Sequence, residues 1–182
     1  MKKIGLLMCA ALLGMFVISC GSSKKTAAPK DEHCCLSTPD AFRAEGSFLA
    51  QYESMEPKAK SNAANNARQE LATMMEATVS RVIENYASTY NDGDAQDFKE
   101  SVKELSRTVV KQTIKNSVPA IPGWSEKREK GTMYYVCLEA DPNALLNGIK
   151  EKVSNDAKLR TDFEYEKFKQ IFEKEMENLN NN

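Results

Sequence analysis

The chain predicts an α+β fold in which long amphipathic helices pack on a small antiparallel sheet, in the order strand, helix, helix, hairpin, C-terminal helix. Three observations carry this. Apolar and polar residues alternate from Phe42 to Tyr52; apolar residues recur at spacings of three and four from Ala59 to Tyr86; and a second alternating run, Thr132 to Ala140, follows a charged turn ending in Gly131.

In the first run Phe42, Ala44, Gly46, Phe48, Ala50 and Tyr52 share one face, so it reads as a strand with one buried side. Ser54 to Pro57 supplies a helix start. The helix that follows, with Leu71, Met74, Met75, Thr78, Val82, Ile83 and Tyr86 continuing the stripe, carries its small residues first: Ala59, Ala63 and Ala67 permit close approach to a sheet, and the Met and Ile end fills wider space. Asn91-Asp92-Gly93 ends the segment, and Asp94 is placed to cap a second helix striped by Phe98, Val102, Leu105 and Val109. From Thr108 to Val118 the residues turn β-branched and polar, and Pro119, Pro122 and Gly123 follow. This stretch and Trp124 are expected to form the irregular first arm of a hairpin whose second arm is Thr132–Ala140. Asp141-Pro142 opens a further helix, cap followed by proline at the first helical position. Leu145, Leu146, Ile149 and Val153 continue it, and Leu159, Phe163, Phe168, Phe172, Met176 and Leu179 resume an apolar stripe expected to pack on the body, with a partner as the alternative.

The N-terminus bears on location. Lys2 and Lys3 precede an apolar run, Ile4 to Ile18, that is shorter than the roughly 20 residues needed to span a bilayer. Val17-Ile18-Ser19-Cys20 resembles the lipobox of bacterial lipoproteins, which implies cleavage before Cys20 and lipidation of its sulfur. Two or three acyl chains anchor a protein stably where one does so only marginally. The reading is a bacterial envelope protein whose membrane contact is its N-terminal lipid. Gly21 stands where an inner-membrane retention signal would place Asp, so the outer membrane is expected, with the periplasmic face favoured and the cell surface left open.

These features divide the chain into a signal peptide, 1–19; a lipidated N-terminus and flexible tether, 20–38; an α+β domain, 39–141; and a C-terminal amphipathic helical extension, 142–182. The tether's r.m.s. span as a coil is about 20–25 Å, which keeps the domain near its own membrane. Removing residues 1–19 takes away two lysines and no acid, leaving 23 basic and 26 acidic residues, a net charge of −3. A nucleic-acid binder would show a basic excess or stripe, so nucleic acid is not an expected partner.

The spacing Ala59-x-x-x-Ala63-x-x-x-Ala67-Arg68-x-x-Leu71-Ala72, then Trp124, then Gly131-Thr132-x-Tyr134-Tyr135-Val136, resembles the LPP-twenty family of small bacterial envelope lipoproteins over residues 41–141. The resemblance implies helices against a small antiparallel sheet and brings no catalytic residues with it. The long C-terminal segment and the adjacent cysteines depart from the family pattern.

Candidate chemistry is sparse. His33-Cys34-Cys35 contains metal-ligating groups, but adjacent cysteines chelate poorly and no fourth ligand is evident, so neither metal nor cofactor is expected. With Cys20 acylated, Cys34, Cys35 and Cys137 leave an odd thiol: either of the first two can pair with Cys137, or all three stay free. The sole histidine lies in the tether and no phosphate-cradling loop exists, so no catalytic residue is assigned and the chain is read as a non-enzyme. Glu173 and Glu177 fall at helical spacing opposite the apolar stripe, which makes them a solvated face. Trp124, Tyr134 and Tyr135 are the candidate partner or ligand surface, as hairpin packing or as an aromatic platform for a sugar. The expected function is binding of another envelope protein; the alternative is a module for glycan, peptidoglycan or a small ligand around Trp124.

Overall fold

A computed structural model of the chain describes residues 35–89, 95–161 and 163–179. The elements are β1 (Phe42–Ala50), α1 (Glu56–Ala87), α2 (Ala95–Lys115), β2 (Val118–Pro119), β3 (Trp124–Arg128), β4 (Gly131–Ala140), α3 (Pro142–Asn155) and α4 (Tyr165–Leu179), with a 3-10 turn over Glu53–Met55. The fold is α+β, as the patterning predicts. β4 is the central strand, antiparallel to β1 on one side and to β3 and the short β2 on the other.

Alternation puts Phe42, Ala44, Gly46 and Ala50 of β1 on the buried face, and α1 covers it with Ala59, Ala63, Ala67 and Leu71, all fully buried. The contact is close enough that a Cβ on Gly46 would lie 2.1 Å from the Ala63 carbonyl oxygen and 2.2 Å from the Ala67 nitrogen. The alanine stripe thus has the role its size suggests: a larger side chain at these positions would hold the helix off the sheet. The strand stops at Ala50 rather than Tyr52, which is exposed. Pro57 sits in the first turn of α1, where a missing N–H costs no hydrogen bond, but no side chain caps the helix.

The stretch Thr108–Val118 corrects the sequence reading, because α2 runs through it to Lys115. Val102, Val109, Val110 and Thr113 are buried while Lys103, Arg107, Lys111 and Gln112 are exposed, so the helical period persists beneath the β-branched composition. Each β-branched residue costs a helix only a few tenths of a kcal/mol, whereas burying a valine side chain contributes about 1.5–3 kcal/mol. The Ser106 and Thr113 hydroxyls donate to the carbonyls of Val102 and Val109 at 2.7 and 2.9 Å, so both enter the core satisfied. Asn91-Asp92-Gly93 and Asp94 lie outside the described residues.

The hairpin forms, but its first arm starts later than expected: β2 and β3 pair with successive parts of β4, β3 takes in Glu126–Arg128 of the charged stretch read as the turn, and the chain bends between β2 and β3 at Ala120-Ile121. Glu129-Lys130 make the turn. Gly131 follows at φ 140°, beyond the reach of an L side chain, and a Cβ there would meet the Ala50 carbonyl oxygen at 2.1 Å.

The Asp141 side chain accepts the Asn143 N–H at 2.8 Å and Pro142 follows it, so α3 opens as the sequence indicates. The C-terminal stripe turns inward. Phe168, Phe172 and Met176 share one core with Leu71, Met75, Tyr86, Leu145 and Ile149. Tyr86 is the hub: its ring meets Phe98, Phe163 and Phe168 at 5.5, 5.8 and 5.5 Å, and its hydroxyl accepts the Glu164 N–H at 2.7 Å. Glu175 adds a polar clasp to α1, accepting from Arg81 Nε at 3.1 Å and Asn85 Nδ2 at 3.0 Å. Residues 142–179 are therefore part of the body and not an appendage to it.

Candidate functional site: the open sheet face and edge

Strand alternation assigns the sheet's second face. Arg43, Glu45, Ser47 and Leu49 of β1 stand opposite Glu139, Cys137, Tyr135 and Met133 of β4, and Trp124, Glu126 and Arg128 of β3 extend the same surface. Among the described residues no helix packs on this face. Its one cover is the N-terminal segment, because Cys35 is disulfide-bonded to Cys137, 102 residues away, with Cα atoms 5.8 Å apart. Cys137 is fully buried beneath the bridge.

Residues 35–38, which the sequence reading placed in the tether, are thereby part of the folded body. Thr38 pairs with Ala41 in a small bridge. Ser37 is buried: its Oγ accepts the Arg43 N–H at 2.9 Å and lies 3.2 Å from the Arg43 carbonyl oxygen and 3.0 Å from Met74 Sδ. It thus occupies the outward-pointing backbone groups of Arg43 as a neighbouring strand would, at that one position of the edge. Pattern reading missed this residue, since a serine ahead of a strand looks like an ordinary turn residue. Of the open cysteine pairings, the structure contains Cys35 with Cys137. Cys20, His33 and Cys34 lie outside the described residues, and Cys35 enters no metal site as a thiolate while it is bridged.

The aromatic trio divides. Trp124 and Tyr135 are directly paired across β3 and β4, and their rings stack at 5.1 Å and 6°. Stacking commits one face of each ring to the other, the hairpin-packing role, and leaves no coplanar two-ring platform. Arg128 donates to the Tyr135 hydroxyl at 2.9 Å and pairs with Glu126; the Tyr135 contact is the main reason its guanidinium holds its proton more tightly than usual. Tyr134 points the other way, towards the start of α1. Lys60 Nζ stands 5.6 Å from its ring centre and 2.6 Å from Glu56. The hydrogen bond from Lys60 and its charge hold the Glu56 carboxyl below its ordinary range, and the same contacts raise Lys60. All three aromatic residues border a shallow groove of about 480 Å³ beside Gly123, Glu56 and Lys60.

β1 is one edge of the sheet, and β2 and β3 form the other. The Ser47 carbonyl accepts from Asn66 Nδ2 at 2.9 Å and the Arg43 backbone bonds Ser37, which shows that the odd-numbered residues of β1 direct their backbone groups away from β4. Arg43 and Glu139 pair across the open face at 3.1 Å. Among the described residues no cluster of three His, Cys, Asp or Glu side chains is arranged to hold a metal, and no helix is long and apolar enough to cross a membrane. No family model, curated protein or solved structure matches the chain.

Proposed function

We propose that the chain is a non-enzymatic lipoprotein of the bacterial cell envelope, similar to the LPP-twenty lipoproteins, anchored through acylated Cys20 at the periplasmic face of the outer membrane and acting by binding another envelope protein. The observation that carries the binding reading is the outer edge of β1 from the Ser47 N–H to Leu49, beyond the Arg43 position that Ser37 fills. A sheet edge is a template on which an extended segment adds as a further strand, main-chain hydrogen bonds supplying affinity. The C-terminal helix, the other surface considered, is taken up by the core through Phe168, Phe172 and Met176. Deleting residues 158–182 would remove core residues and cannot serve as a test of binding.

Ser47→Pro is the discriminating variant. Its N–H points away from β4, so proline leaves the internal ladder intact while removing a donor that an added strand needs. Crosslinking and affinity purification from intact cells under lipid-preserving conditions should recover a partner with the native chain and lose it with Ser47→Pro. Recovery of no partner would reject the binding reading. Cys20→Ser should move the protein out of the membrane fraction, and continued attachment would reject the anchor. Glycan binding around Trp124 stands second, because the Trp124–Tyr135 stack engages one face of each ring and leaves no coplanar pair for a sugar. Retention on peptidoglycan that is lost in folded Trp124→Ala would promote it.

A further inference from the structure

We propose that the open sheet face is the membrane-facing side of the molecule, oriented by the Cys35–Cys137 disulfide, and that a zwitterionic phospholipid headgroup layer is what it meets. The inference rests on the lipidation of Cys20 proposed above and adds an orientation to it.

The place where the anchor-bearing chain joins the body carries the argument. That chain enters at Cys35, and Cys35 is fastened to Cys137 on the central strand of the open face. Without the bridge, its first fixed point would be Ser37, at the outer edge of β1. The disulfide therefore moves the point of attachment from the rim of the sheet to the middle of one face. Fourteen residues lie between Cys20 and Cys35, a reach of at most ~55 Å, so a lipid at Cys20 holds this face within that distance of the headgroups.

The surface chemistry fits the same occupant. Leu36, beside the bridge, is 65% exposed, and Trp124 and Tyr135 bring the amphipathic rings favoured at the membrane–water interface. Arg43 is paired with Glu139 and Arg128 with Glu126, so the face offers no excess of cations. A neutral headgroup layer suits it better than a strongly anionic one, and its contact should depend little on salt.

Trp124 is the only tryptophan in the chain, so its emission reports on this face alone. The full lipidated chain is reconstituted into phosphatidylcholine vesicles that contain a phospholipid with a nitroxide high on its acyl chain. Trp124 emission should fall about twofold, as for an interfacial tryptophan, relative to vesicles without nitroxide. Cys35→Ser/Cys137→Ser should still float with the vesicles but lose most of that quenching. A reporter on the helical side, Trp124→Phe with Lys111→Trp on α2, keeps the disulfide and should remain unquenched, so orientation is tested even if the bridge-less variant fails to fold. Failure of the native chain to float would sink the anchor and this orientation together. Flotation with Trp124 unquenched, or equal quenching at position 111, would overturn the orientation alone.

Discussion

Gly46 carries a tighter constraint than its neighbours. The space its missing side chain leaves is occupied by the α1 backbone at Ala63 and Ala67, and backbone cannot swing aside as a side chain can. Gly46→Val should therefore cost about 3 kcal/mol or more, the upper end for overpacking a dense core, seen as a lowered midpoint in urea unfolding. An unchanged midpoint would mean that α1 does not sit where it is described. Glu56 offers a test at the surface. Lys60 depresses its carboxyl pKa, so the small stability this pair contributes is present above the ordinary carboxylate range and lost as pH falls through the lowered value. A carbon-detected NMR titration should place the Glu56 midpoint below an ordinary glutamate, and Lys60→Met should move it back up. A midpoint at or above the ordinary value in the native chain would contradict the pairing.

α4 shows how an amphipathic stripe is assigned. Its apolar residues could have served a partner, but Phe168 and Phe172 are buried against α1, β1 and α3, and Glu175 binds Arg81 and Asn85 of α1. Phe168→Ala should lower stability by about 3–5 kcal/mol with loss of near-ultraviolet signal, as for removal of a buried ring; a change within ±0.5 kcal/mol would show α4 detached in solution. The second helix teaches the complementary lesson. A β-branched run such as Thr108–Val118 favours a strand in isolation, yet within the fold its valines face α1 and α3 at helical spacing, and burial outweighs propensity. The β4 arm of the hairpin and Gly131 were legible from sequence because their signals are local, whereas the first arm was not, since the residues read into it are helical as far as Lys115.

The disulfide governs the molecule as a unit. It closes a loop of 102 residues that contains the sheet and the first two helices. In the chain-entropy picture a loop of about 100 residues contributes roughly 4.7 kcal/mol, so reduction should lower the thermal midpoint by more than 10 °C and release the Cys35–Ala41 segment from the β1 edge. Amide hydrogen exchange at Arg43 should then accelerate ahead of that at the residues of β1 paired with β4. Equal protection of Arg43 in oxidised and reduced protein would show that Ser37 holds the edge without the bridge.

Local patterning was enough to read the α+β class, the alanine face of α1, the β4 arm of the hairpin and the Asp141 helix start, since each depends on residues a few positions apart. The same sequence left open which cysteine pairs with Cys137, what the rings of Trp124, Tyr134 and Tyr135 pack against, and whether the C-terminal stripe faces inward or outward. Those answers require residues separated by tens of positions to meet. They follow from β4 lying at the centre of the sheet, which sets Cys137 and Tyr135 on the open face and turns Tyr134 towards α1.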